Sequence, residues 1–456
     1  MTLKRKTALV ALVASMAICA ATLVLHNAPD TSIPSLVPGE NRDGDSPGFL
    51  AAQRAAERLR NEIARNPDDA SSYVGLARLF LQEARLTGDH HAYIPAARKL
   101  LERAALLAPD DFQQLQTRAS LLMTLHRFAE AKTLAEQAVA ANPRSPAAHA
   151  VLVDALVELG DYSAAVKASD RLMGMKPDLR GYARVSYLRE IYGDTPGAIA
   201  AMLTAADAGI PGSEERSWAL CHLANLFLRS GKPDTAAYIY HGILEERHGY
   251  AFALAGLASV AMTRHQPDSA LTLLTRALSL RPDHAFMEQL ADVYESMGRH
   301  DDAQRLAGLV LDSFAQHERD GWNIDREFAL FSANHKLNPE EVLRRARSDY
   351  ESRPDNIDAL TTYAWVLQCN GRSEEALPLI QHALRLHTRS AVLHYYAGVI
   401  FGATGNPVTA RSELIAAVAT DGFIHPLYLP DALSRIAHPG RFASNQIPTP
   451  QSGSMP

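Results

Sequence analysis

Residues 143–177 read PRSPAAHAVLVDALVELGDYSAAVKASDRLMGMKP, two short amphipathic stretches that meet at Leu159-Gly160-Asp161 and are bounded by Pro143 and Pro177. Apolar residues recur at helical spacing in both halves, and glycine at the join supplies the left-handed conformation that ends a helix. Proline cannot continue a helix interior but is tolerated where a new helix begins. The stretch therefore predicts a helix, a tight turn and a second helix.

Its frame extends along the chain. Pro109, Pro143, Pro177 and Pro211 stand 34 residues apart, the same step joins His248 to Pro282, and from Pro354 it lands on Thr388 and Gly422. Turn glycines recur at Tyr192-Gly193-Asp194, Ser230-Gly231-Lys232, Met297-Gly298-Arg299 and Asn370-Gly371-Arg372. The second stretch of successive units opens near Ala131, Ala165, Ala198, Ala236, Ala270, Ala303, Ala376 and Ala410. Several units carry another alanine seven residues on, at Ala138, Ala205, Ala277 and Ala383. Seven residues is two helical turns, so small side chains line one face where two helices approach closely. A unit of 34 residues cannot bury its apolar face alone, so copies must stack. The expected fold is all-α, a solenoid of about ten helix-turn-helix repeats over residues 49–436. The Ala51–Asn66 stretch should seal one end and residues 431–437 contribute to the other.

Two units depart from the pattern. The first holds about eight extra residues around Leu86-Thr87-Gly88-Asp89-His90-His91, which suggests a longer inter-helix loop, and the unit from Gly321 to Pro354 has an irregular first helix. The packing positions carried by Tyr73, Leu76, Ala77 and Phe80, or by Leu220, Leu223, Ala224 and Phe227 with Ala236 following, resemble the tetratricopeptide repeat family. The resemblance covers roughly residues 49–422 and implies that the solenoid is a right-handed superhelix. It implies a scaffold that organises a complex, of the kind found in bacterial cell envelopes. The family's carboxylate-clamp set of Lys, Asn and Arg is not reproduced, Asn225 alone matching in type.

Lys4-Arg5-Lys6 precedes an apolar run from Thr7 to Leu25. Residues 1–26 therefore read as a signal-anchor or a cleavable signal peptide, with Cys19-Ala20-Ala21 as a cleavage site in the second case and a lipoprotein use of Cys19 as the least fitting alternative. The nineteen-residue run approaches the ~20 that span a bilayer. The positive flank places the remainder across the membrane. The chain is then expected on the inner membrane facing the periplasm, or free in the periplasm after cleavage. Residues 27–48 and 437–456, rich in Pro, Gly and small polar residues, read as a flexible linker and a disordered tail.

Composition narrows the function classes. Hydrophobic content is 47%, aromatic content 7% and net charge −6, with no Lys/Arg block beyond the amino terminus, so nucleic acid is not an expected partner. Cys221 and Cys369 lie about four repeats apart and read as packing residues. No phosphate-binding loop, nucleophile elbow or paired-Cys zinc spacing is present, and the repeats consume the chain, so neither an enzyme nor a cofactor is expected. The alternative is an enzyme or metal-handling accessory that uses the His90-His91 stretch beside Asp89, or an unrecognised groove site.

What remains is a groove lined by the first helix of each repeat. Arg180, Arg184 and Tyr187 share a face at spacings of four and three and could hold a carboxylate or a peptide backbone. Trp218, Asn225, Trp365 and Tyr395 fall in comparable registers, and Glu288, Asp292 and Glu295 form an acidic stripe opposite in charge to the Arg180 region. The expected partner is an extended protein or peptide segment.

Overall fold

Each 34-residue unit folds as two antiparallel helices because its punctuation is obeyed residue by residue. In the computed structural model, which describes residues 34–36, 47–420 and 425–438, Asp161, Asp178 and Asp194 accept hydrogen bonds from Ala164, Gly181 and Gly197 backbone amides at 2.9–3.1 Å. These side chains satisfy amides that a helix start leaves unpaired. The five turn glycines all have positive φ, from 70° at Gly231 to 80° at Gly160. The twelve recurring alanines named above are fully buried, each at 0% exposure.

The predicted membrane segment, and most of the predicted linker and tail, lie outside the described residues, while Ala437, placed in the tail, ends the last helix. Of the linker, Leu36 is buried and Arg60 donates to the Pro34 carbonyl. Among the described residues no helix is long and apolar enough to cross a membrane.

Helix α1 (Pro47–Arg65) covers the first repeat. Ten helix pairs follow among the described residues: α2 (Ala70–Thr87) with α3 (His90–Leu107), α4 (Phe112–Thr124) with α5 (Phe128–Ala141), α6 (Pro146–Glu158) with α7 (Tyr162–Met175), α8 (Leu179–Ile191) with α9 (Thr195–Asp207), and α10 (Glu214–Arg229) with α11 (Pro233–Glu246). Repeats 6 to 10 pair α12 (Ala251–Thr263) with α13 (Pro267–Leu280), α14 (His284–Ser296) with α15 (His300–Asp320), α16 (Asp325–Asn334) with α17 (Pro339–Ser352), α18 (Ile357–Cys369) with α19 (Ser373–Ala383), and α20 (Ala391–Ala403) with α21 (Pro407–Thr420). Helix α22 (Leu429–Ala437) closes the array. No strand occurs among the described residues.

The extra residues of repeat 1 do not form a loop. Helices α2 and α3 each run to 18 residues, and only Gly88 and Asp89 separate them. Gly88 takes the left-handed cap at φ 79° and Asp89 caps α3 through the Ala92 amide, so the insertion is absorbed as added helical turns. The irregular unit is short rather than disrupted, with α16 at 10 residues after a 21-residue α15.

The solenoid winds tightly enough that its second turn rests on its first. Arg281 donates to the Arg85 carbonyl at 3.0 Å, Asn323 to that of Leu125 at 2.9 Å, Asn356 to that of Val157 at 3.3 Å, and Thr388 to that of Ile191. Hydrogen bonds of this set span 195–199 residues, just under six repeats. Inter-helix turns of repeats 1–4 thus meet inter-repeat junctions one superhelical turn later. One apolar core accordingly joins Val153, Leu156 and Ile191 to Phe328, Leu360 and Tyr396.

Candidate functional site: the superhelical bore

Six residues before each turn glycine, the first helices place Asp154, Tyr187, Asn225, Asp292 and Trp365 in one register, and tight winding turns that register inward. Tyr187 keeps 43% of its surface accessible, yet burial pushes its phenol well above its usual range, followed by the carboxylates of Asp358 and Glu158. Both hold because the ring stands in a wet but walled bore. Trp218 is 37% exposed, with its ring 4.2 Å from that of His222. Burial pushes His222 down to about 4, with the charge of Arg229 acting the same way, so the imidazole is neutral at pH 7.

Most polar groups of the bore are already satisfied by their neighbours. Arg184 holds the carboxylate of Asp154 with two nitrogens at 2.8 and 2.5 Å, so the anion foreseen from a partner is supplied by the chain itself. Asn225 accepts from the Tyr240 hydroxyl, and Arg229 pairs with Glu190 at 2.8 Å. Burial works against the charge of Asp292, but His425 at 2.8 Å and His335 at 3.4 Å outweigh it and hold its pKa well below the carboxylate range. Glu295 is paired with His300 at 2.7 Å.

Two predicted groove residues remain open. Arg180 is two-thirds exposed and only loosely paired, 3.8 Å from Glu215. Glu288 makes no hydrogen bond or ion pair among the described residues. Burial, then the charges of Asp292 and Glu327, push its carboxyl well above the usual range.

Trp365 and Tyr395 are not groove residues; both are at 0% exposure. Their register is the expected one, but neighbouring first helices fill the bore here with aromatic rings. Trp365 stacks on Tyr396 at 4.0 Å and donates to Asn334 at 3.0 Å, while Tyr395 stacks on Tyr428 at 4.7 Å and donates to Asp431 at 2.8 Å. The open groove therefore ends before repeat 9.

Two cavities lie along it. One of about 280 Å³ is bounded by Asn225, Arg229, Gln289, Asp292 and His425 over Met262. A second, of about 210 Å³, sits where the turns meet, among Glu158, Arg326, Asp349, Arg353 and Asp358. Arg353 grips Asp349 at 2.7 and 3.0 Å and reaches Glu158 at 3.0 Å, yet burial outweighs that pairing and pushes the Glu158 carboxyl up to about 7. Sequence reading missed Glu158, Arg229, Arg326 and His425. The first three lie on first helices, where the inward register extended by one turn reaches them; nothing local marks His425.

The His90-His91 pair begins α3 and does not stand on a solvated loop. Among the described residues no group of three or more His, Cys, Asp or Glu is placed to hold a metal ion. Cys221 and Cys369 are free thiols, and burial pushes both up, Cys369 to about 12.

Residues 122–189 and residues 256–315 each match a tetratricopeptide repeat family model. The chain carries tetratricopeptide repeats. No curated protein matches it. Among solved structures, the chain is similar to a human IFIT1 dimer with PPP-AAAA, at 12% identity over 81% of this chain and 87% of that one, with a TM-score of 0.44. It is also similar to the APC/C hetero-tetramer Cut9-Hcn1, at 12% identity over 85% and 94%, TM-score 0.37. A third is a tetratricopeptide repeat protein from Parabacteroides merdae, at 16% identity over 58% and 100%, TM-score 0.34. Superpositions at these scores are partial, and the assignment stands on the repeat matches and the helix-pair geometry.

Proposed function

We propose that this protein is a non-catalytic scaffold that receives an extended protein segment, or an arm of a partner subunit, in the open bore between Arg180 and Glu288. The segment would carry a cationic side chain for Glu288 and a carboxylate for Arg180, with Tyr187 and Trp218 as apolar anchors between them. The unpaired Glu288 carries this reading. Burial and like charges outweigh the distant Arg326 and no ion pair reaches this carboxyl among the described residues, so a partner's cation would supply the close counter-ion it lacks. The basic flank and apolar run of residues 4–25 add the second half of the proposal. The scaffold is tethered to the inner membrane facing the periplasm, or released there by cleavage, and assists assembly of an envelope complex.

A photoreactive residue replacing Trp218 in intact cells should capture a distinct protein partner, and the same residue replacing Tyr238, 81% exposed on a second helix, should not. Capture that survives Arg180→Glu together with Glu288→Lys refutes the bore assignment. Recovery of the chain in detergent-free supernatant would rule out the tether and leave the cleaved form.

A further inference from the structure

The seam between superhelical turns changes character along its length. Beside repeats 3 and 4 it is apolar, with Val153, Leu156, Tyr162 and Ile191 sharing one core with Ile357 and Leu360. Beside repeats 1 and 2 it is not. The core of those repeats, with Phe80, Tyr93, Ile94 and Leu101, forms a separate cluster, and Trp322 packs against both clusters.

Three histidines pack on that tryptophan and two more pack on one of the three. From the first turn come His90, 5.5 Å from the Trp322 ring, and His126, 5.4 Å from it. His91 joins them, 5.1 Å from His317. From the second turn come His317, 5.0 Å from Trp322, and His284, 5.1 Å from His317. His90 and His317 are 6.4 Å apart across the seam. His317 donates from Nδ1 to the Ser313 carbonyl, whereas His90 Nδ1 and Trp322 Nε1 are buried without a hydrogen-bond partner.

We propose that this cluster is a pH-operated latch. Protonation of His90, His284 and His317 drives repeats 1 and 2 off the second turn, hinging on the apolar seam at repeat 3, and opens the bore from the side.

Burial sets this direction; Arg281 reinforces it at His90, while Asp283, Glu327 and Asp320 offset part of it. Helix α3 presents Arg98, which donates to the Asp320 carbonyl, and the junction before α14 presents Arg281. The carboxylates that face the rings are engaged: Asp283 with Arg281 at 3.1 Å, Asp320 with His91 at 2.5 Å, and Glu327 with His126 at 3.6 Å and Arg326 at 3.9 Å. Gln316 is held near Asp320, 3.3 Å from its carboxylate. New protons thus meet two fixed guanidiniums and carboxylates that already have partners.

Burial, then the charge of Arg281, pushes His90 down to about 4, and burial also pushes His284 and His317 down. For an imidazole whose pKa is lower closed than open, the closed form is fully favoured above the free value of about 6.5 and loses ground as pH falls towards 4. Each such histidine shifts the open-to-closed ratio by up to about tenfold per pH unit in that window. Glu158, at the apolar seam, titrates the other way: its raised pKa favours the closed form as pH falls, which keeps the hinge shut while the latch opens.

Small-angle scattering and Trp322 fluorescence, read in the full chain in detergent from pH 8 to about 4.5, test the latch. The maximum dimension should grow and the Trp322 signal change reversibly, with far-ultraviolet helicity retained. The His90→Gln, His284→Gln, His317→Gln variant should remain closed throughout. Should that variant fail to fold, His90→Gln alone should move the midpoint to lower pH. Constant dimensions in the unmodified chain, expansion only together with loss of helicity, or an unshifted midpoint in the variants overturns the proposal.

Discussion

Glycine serves two separate purposes in this chain, and single positions separate them. At Gly160 and Gly193 the backbone is left-handed, and an added Cβ would also lie 2.3 Å from the Asp355 carbonyl carbon and 2.3 Å from the His387 oxygen, on the following superhelical turn. Gly231 and Gly371 occupy the same turn position with nothing within 4 Å of an added Cβ. Gly231→Ala and Gly371→Ala should therefore cost only the left-handed strain, about 1 kcal/mol each. Gly160→Ala and Gly193→Ala must in addition push two backbones apart, and should cost roughly 2–4 kcal/mol each. Urea midpoints of the four variants check the contrast, and equal losses at all four would show that the turns do not touch. The glycines were legible in the sequence as helix caps. Their second purpose was not, because the atoms they make room for lie some 195 residues away.

At the scale of elements, the sequence carried the helix pairs because each boundary depends on neighbours within one repeat: a capping Asp, a turn glycine, a buried alanine. It misplaced the insertion of repeat 1, since the good helix formers Gln82-Glu83-Ala84-Arg85-Leu86 carry the first helix on and the breakers Gly88 and Asp89 alone make the turn. Trp365 and Tyr395 misled for a related reason. Their inward register is correct, and only the rings brought by the next first helix decide whether inward means groove or core. Tyr428, just before α22, supplies one of those rings: it is buried, stacks on Tyr395 and donates to Asn334 at 2.6 Å. Tyr428→Ala should cost about 3–5 kcal/mol in unfolding free energy, as other deletions of buried rings do. Tyr238→Ala, on an exposed face, should stay within about 0.5 kcal/mol. Similar thermal midpoints for the two would mean that α22 does not seal the array.

For the whole molecule, the decisive quantity is the rotation from one repeat to the next. It accumulates from many small packing angles, so no residue announces it, and the sequence could specify a solenoid without specifying whether its turns touch. An open solenoid couples each repeat only to its neighbours, and its ends unfold before its middle. Here Arg353–Glu158, Asn356–Val157, Ile357–Tyr162 and Thr388–Ile191 join repeats almost six apart, three of them through groups buried at the seam. Losing repeat 3 or 4 therefore also exposes the apolar surface and the Arg353–Asp349 pair of the second turn, a loss of several kcal/mol that nearest-neighbour coupling lacks. Repeats 3–10 should then melt as one cooperative block, with repeats 1 and 2 joining it at neutral pH. Calorimetry at pH 7.5 should give one dominant transition in the unmodified chain. The Gly160→Ala, Gly193→Ala double variant should give two, the earlier from repeats 1–5, because prising the seam apart restores the one-dimensional behaviour. A stepwise melt already present in the unmodified chain would mean that the contacts between turns carry no free energy.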